Sequence, residues 1–180
     1  MNGKTIDDRL PNYQEIRKDS KELYDAFGKV FSPALGQHIH FTSNGFNHLI
    51  YSGAKKERDK RTQILRFDLL ERAKIILERS TTYQEYEEDI EYTRVNRYGK
   101  YVSVNLVVKY WGFVSIIDKL RIKVVARQIG NSKIEFYSVI PAWFTKQYRN
   151  MKIFNSSTGN GLKDENDDEI LKNATSGDDL

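Results

Sequence analysis

Between Tyr13 and Val30 the residues Ile16, Leu23, Ala26, Phe27 and Val30 recur three and four positions apart among charged neighbours. A 3.6-residue repeat collects such positions on one side of an α-helix, so the spacing predicts a helix that stops at Phe31-Ser32-Pro33. His38 to Thr42 then alternates as a short strand. Thr42 or Ser43 can cap a second helix that carries Phe46, Leu49 and Ile50 on one side and ends near Gly53, with His48 in its middle. A basic loop from Ala54 to Arg61 leads to a third helix, Thr62 to Arg79, with Leu65, Leu69, Ala73 and Ile76 along its buried stripe.

Past Thr81 the period changes. Asp89–Arg97, Tyr101–Tyr110, Lys119–Gln128 and Lys133–Pro141 are rich in Tyr, Val and Ile and read as strands. Asn96-Arg97-Tyr98-Gly99 and Gly130-Asn131 accept positive φ, which predicts antiparallel hairpins joined by a longer link holding Trp111-Gly112. Helices followed by strands indicate an α+β fold, here N-terminal helices packed on one face of a four-stranded antiparallel sheet, the other face staying open for a ligand. The expected organisation is a helical extension over residues 1–33, an α+β domain over 34–152 and a disordered, acidic, flexible tail over 153–180.

Charge sharpens this division. The chain carries +4 overall, but residues 164–180 hold seven acids against Lys172 alone. Of its 29 bases and 25 acids, 28 and 18 remain in residues 1–163, a net +10 that suits a polyanion. No apolar run approaches the roughly 18 residues of a membrane-spanning helix, and no membrane partner is expected. There is no cysteine and no apolar signal region at the N-terminus, which points to a cytoplasmic protein.

Within the helix-and-strand frame, three groups of residues carry candidate chemistry. All three histidines, His38, His40 and His48, fall within eleven residues and run on into Lys55 and Lys56. Imidazole moves protons near neutral pH, and clustered cations hold phosphate. Arg121, Lys123 and Arg127 are odd-numbered on one strand and project from one face, a basic stripe, while Leu120, Ile122, Val124 and Ala126 turn to the helices. With a two-residue turn after Ile129, Arg127 would oppose an even-numbered residue of the last strand, and Ser138 would share its face. A zinc site of the histidines lacks the cysteines or ordered acids that would complete it, so no metal and no cofactor are expected. Glu87, Glu88 and Asp89 read as a solvated approach to a strand.

The order of a histidine strand, the Gly-x-x-His of FTSNGFNHL, a basic loop, a leucine-rich helix and the closing RIKVVARQIGNSKIEFYSVI resembles the phage-associated nucleases of the barnase, EndoU, colicin and RelE-like superfamily. The resemblance spans His38 to Pro141. It is carried by the Gly45-to-His48 spacing, the basic strand Arg121 to Arg127 and Phe136-Tyr137-Ser138-Val139. It implies an RNA-cleaving site on the exposed sheet face, with His48, Arg127 and Ser138 catalytic, RNA as partner, and the setting of a toxin-like enzyme of a phage or mobile element with a cognate inhibitor protein.

The chemistry is arguable from the residues alone. Metal-free RNA cleavage uses the 2′-hydroxyl as nucleophile and needs a base, an acid and cations for the charge on phosphorus. His48 or His40 can transfer protons. Arg127 with Lys55, Lys56, Lys123 and Arg121 can hold phosphate, Ser138 can bond a non-bridging oxygen, and Tyr101, Tyr110, Trp111 and Tyr137 can stack on bases. Two other classes stay open: an RNA- or single-stranded-DNA-binding module without catalysis, and an interaction protein that docks an acidic partner.

Overall fold

A computed structural model describes residues 5–52, 56–117 and 120–141, and within them the fold is α+β. A one-turn helix α1 (Ile6–Arg9), capped by Thr5, leads through a 3-10 turn into α2 (Tyr13–Phe27). Gly28, with φ of 57°, ends α2 three residues before the expected stop. The chain reverses there, and Val30 is buried as part of a strand, β1 (Lys29–Ser32). Gly36 at φ 63° closes the turn into β2 (Gln37–His40). Next come α3 (Ser43–Ile50), α4 (Lys60–Asp68) and α5 (Leu70–Arg79). The single helix expected over 62–79 is two, because the backbone at Leu69 (φ −94°, ψ −2°) tightens and its N–H bonds to Arg66 O and Phe67 O.

The strands β3 (Glu85–Arg97), β4 (Lys100–Ile117), β5 (Leu120–Ile129) and β6 (Ile134–Pro141) complete the sheet. Its order is β1-β2-β6-β5-β4-β3, antiparallel throughout except where β2 runs parallel to β6. The four-stranded antiparallel sheet is therefore corrected to a six-stranded mixed one. The two extra strands flank Pro33: β2 falls on the short strand expected from His38, which the four-stranded sheet did not include, and β1 occupies residues expected to close the first helix. The expected link at Trp111-Gly112 is also absent, since both residues are ladder positions of β4, paired with Ala126 and Val125. Tyr98 (φ 53°) and Gly99 (φ 78°) make the two-residue turn between Arg97 and Lys100, as positive φ at both central positions of such a hairpin requires.

One core joins helices and sheet. Tyr24 meets Phe41, Phe46 and Phe136 edge-on with ring centroids 5.2–5.7 Å apart, and Phe41 stacks on Phe136 at 5.1 Å. Ile122, Val124 and Ala126 face this core, as the strand period predicts. Tyr13, Tyr24 and Val30 belong to the same cluster, so the core runs across the boundary expected at residue 33. Among the described residues no helix is long and apolar enough to cross a membrane. Lys55 and the acidic tail lie outside the described residues.

Candidate functional site

β2 pairs with β6 at only two rungs, Ile39↔Ile134 and His40↔Glu135. Beyond Glu135 that side of β6 is taken by helices. Thr42 caps α3 and accepts Gly45 N–H through Oγ1 at 3.4 Å, which aims the first turn of α3 at the strand. Gly45 then comes so close that an added Cβ would collide with the Phe136 carbonyl oxygen and the Tyr24 hydroxyl. Three residues on, on the same side of the helix, the His48 ring lies 3.8 Å from that of Tyr137. The Gly-x-x-His spacing thus has a geometric meaning: the glycine admits the helix to β6, and the histidine lands one turn later on the next strand residue.

A β-bulge between β5 and β6 finishes the arrangement. Ala126 opposes Phe136 and Val125 opposes Ser138, so Tyr137 is the extra residue. The turn after Ile129 is longer than two residues, and Arg127 opposes Glu135 rather than an even-numbered residue. The bulge restores the expected neighbourhood by moving Ser138 to the Val125 rung, on the Arg127 side of the strand. Four residues singled out from the sequence therefore come together: His48, Arg127, Tyr137 and Ser138. The Arg127 guanidinium sits 4.4 Å from the Tyr137 ring centre, and Tyr110 meets that ring edge-on at 5.4 Å.

Two arginines that sequence reasoning missed complete the cluster. Arg66 of α4 is fully buried and donates through Nη1 to Ser138 Oγ at 2.8 Å and Val139 O at 3.3 Å. Arg58, also buried, donates from Nε to His48 O at 3.3 Å, and its own N–H bonds to Ile50 O at 2.8 Å. The signal for Arg66 was present: it stands three and four residues before the buried Leu69 and Leu70, a cation on an apolar side of its helix. Arg58 lies in an irregular segment where no period marks burial.

Electrostatics follow from this packing. The His48 pKa is driven well below its usual value by burial first, then by the charges of Arg66, Arg58 and Arg127, against a smaller upward pull from a backbone hydrogen bond at Tyr137. The imidazole is neutral at pH 7, the form of a base, and both ring nitrogens are shielded from solvent. Burial opposes the charge of Arg127, but the Glu135 hydrogen bond and charge outweigh it and leave its pKa above normal. Arg127 donates to Glu135 Oε1 through Nη2 at 2.5 Å and Nε at 3.2 Å, and Thr42 Oγ1 donates to Glu135 Oε2 at 2.9 Å. Tyr110 donates to Glu91 at 2.8 Å, and burial raises its pKa.

The remaining candidates are dispersed. His40 stands across the ladder from Glu135 and Lys29, its pKa lowered by burial and by Lys133, Lys29 and His38. The exposed His38 meets Phe31 at 5.5 Å. Lys123 does share the Arg127 side of β5, but it is buried, ion-paired with Glu85 at 3.1 Å and about 13 Å along the strand from Arg127, outside the cluster. Glu88 and Asp89 are exposed and Glu87 half-buried, as the solvated reading has them, though all three lie within β3, whereas Glu85 at its start is buried. Arg121 lies six residues from Arg127, about 20 Å along the strand. Lys56 is exposed in the loop before α4. Among the described residues no group of three or more His, Cys, Asp and Glu side chains is placed to hold a metal. No family model, curated protein or solved structure matches the chain.

Proposed function

We propose that this protein is a metal-independent endoribonuclease whose site is the cluster at the edge of β6. The observation that carries the reading is the convergence of a neutral imidazole, three arginines and a hydroxyl from α3, α4, β5, β6 and the segment between α3 and α4. His48 in its neutral form accepts the 2′-hydroxyl proton, and Arg66 and Arg127 balance the charge that builds on phosphorus. Ser138, whose oxygen already accepts from Arg66, has its own proton to donate to a non-bridging oxygen. The leaving 5′-oxygen takes its proton from solvent, since His40 stands outside the cluster and its lowered pKa leaves it neutral. The net +10 of residues 1–163 and the resemblance to the barnase, EndoU, colicin and RelE-like superfamily support RNA as substrate.

The test is incubation of the purified chain with mixed RNA in EDTA and analysis of product ends. The expected result is 2′,3′-cyclic phosphate and 5′-hydroxyl ends, with cleavage lost in His48→Ala. Cleavage abolished by EDTA and restored by a divalent ion overturns the reading. A second reading, binding of RNA without cleavage, is favoured by the shielding of both His48 nitrogens. Its mark is RNA affinity with no product ends, equal in parent and His48→Ala.

A further inference from the structure

β3 is the last strand of the sheet, thirteen residues long, with no strand on its outer side among the described residues. β4 meets β5 only from Val108 onward, so the eight rungs from Ile90↔Val107 to Arg97↔Lys100 project as a two-stranded ribbon. A ribbon of two strands is marginal in water unless something packs against it. This one displays Ile90 at 69%, Tyr92 at 77% and Tyr101 at 74% exposure, with Val102 and Val107 also exposed. Ile90 and Tyr92 lie on the same side of β3 as the exposed Arg94. The Ile90 N–H is taken by the carboxylate of its neighbour Asp89 at 2.7 Å, a local acceptor of the kind a strand without a neighbour uses.

Charge is segregated along β3. Its first seven residues hold five acids, Glu85, Glu87, Glu88, Asp89 and Glu91, and its last six hold Arg94 and Arg97 with no acid. A strand of this pattern is complementary to its own reverse. An antiparallel copy brings each acidic half beside a basic half, whereas a parallel copy sets like against like. We infer that β3 is a homodimer interface, pairing antiparallel with β3 of a second copy about a two-fold axis near Tyr92. The two sheets become one continuous sheet, and each ribbon gains the strands it lacks. Ile90 and Tyr92 of the two copies meet on one side, and Glu88 comes near Arg94 across the axis. An edge this long, bearing exposed Ile and Tyr, is a template for strand pairing, and the charge pattern selects the partner and its direction.

Sedimentation velocity of the full chain over 1–100 µM tests the interface. A concentration-dependent shift from monomer to dimer is expected. Arg94→Glu alone and Glu88→Arg alone should each weaken association at least tenfold, and an equimolar mixture of the two should restore it, because the mixed pair has opposite charges at both crossings. The chain has no cysteine, so Tyr92→Cys supplies a second measurement should either charge variant misfold: oxidation should give a covalent dimer, and the exposed control Tyr51→Cys should not. A parent that stays monomeric at 100 µM, or a dimer that both charge variants leave intact, overturns the inference. A monomeric parent whose RNA affinity falls in Tyr92→Ser and Arg94→Ala would reassign the ribbon to nucleic acid.

Discussion

β6 and β3 each leave one side without a strand neighbour over most of their length, and the chain treats the two in opposite ways. Beside β6 the space is filled from within: Gly45 lets α3 reach the Phe136 carbonyl, and Arg66 bonds Ser138 and Val139. Burial within this closure, and then the charges of Arg66, Arg58 and Arg127, depress the His48 pKa. Along β3 nothing described covers the edge, and Tyr92, Arg94 and Tyr101 keep their contact with water. An edge closed by its own chain makes a site of fixed geometry and shifted proton affinity. An edge left open makes a surface whose partner must come from outside.

The largest expected effect breaks the closed edge chemically. His48→Ala should lower RNA turnover by roughly 10²- to 10⁴-fold, the usual range for one general acid or base, with the circular dichroism spectrum unchanged; a turnover equal to the parent's would reduce His48 to a packing residue. Breaking the same edge sterically comes next. Gly45→Ala places a Cβ against backbone rather than a yielding side chain, and should cost about 3 kcal/mol, at the upper end for overpacking. Urea unfolding would show it, and a loss under about 1 kcal/mol would mean that α3 does not press on β6 as described.

Proton linkage gives a smaller and graded effect. The folded His48 pKa lies below the unfolded value near 6.5, so the unfolded chain takes up the proton first. Its stability contribution is intact above about pH 6.5 and declines as pH falls below it, by at most about 1.4 kcal/mol per pH unit. Urea unfolding at pH 7 and pH 5 should therefore show a drop of up to about 2 kcal/mol in the parent and less in His48→Gln. Equal drops in both would assign the pH dependence to other groups. The smallest effect is expected on the open edge: Tyr92→Ser and Tyr101→Ser should change stability at low micromolar concentration by no more than about 0.5 kcal/mol. A larger loss would mean that the ribbon is packed after all and that the contrast between the edges is weaker than drawn.

Local rules carried much of the fold. The α+β class, the cap at Thr42, the Tyr98-Gly99 turn and the core side of β5 were all legible, because each depends on a residue and its near neighbours in sequence. The end of α2 at Gly28 and the division at Leu69 were not, because the apolar spacing runs on through both points while the backbone turns there, at a positive φ in Gly28 and in a tightened turn at Leu69. In the candidate site, the Gly45-to-His48 spacing and Arg127, Tyr137 and Ser138 could be picked from the chain. Arg58, Arg66 and Glu135 could not be assigned to them, being separated from their neighbours in the site by helices and strands whose packing no local period encodes. Lys123 marks the same boundary. Strand alternation determined which side of β5 it takes, but only the tertiary structure decided that Glu85 waits there and withdraws its charge from solvent. Periodicity fixes direction because it is a property of one backbone; burial and pairing depend on what the rest of the chain brings alongside.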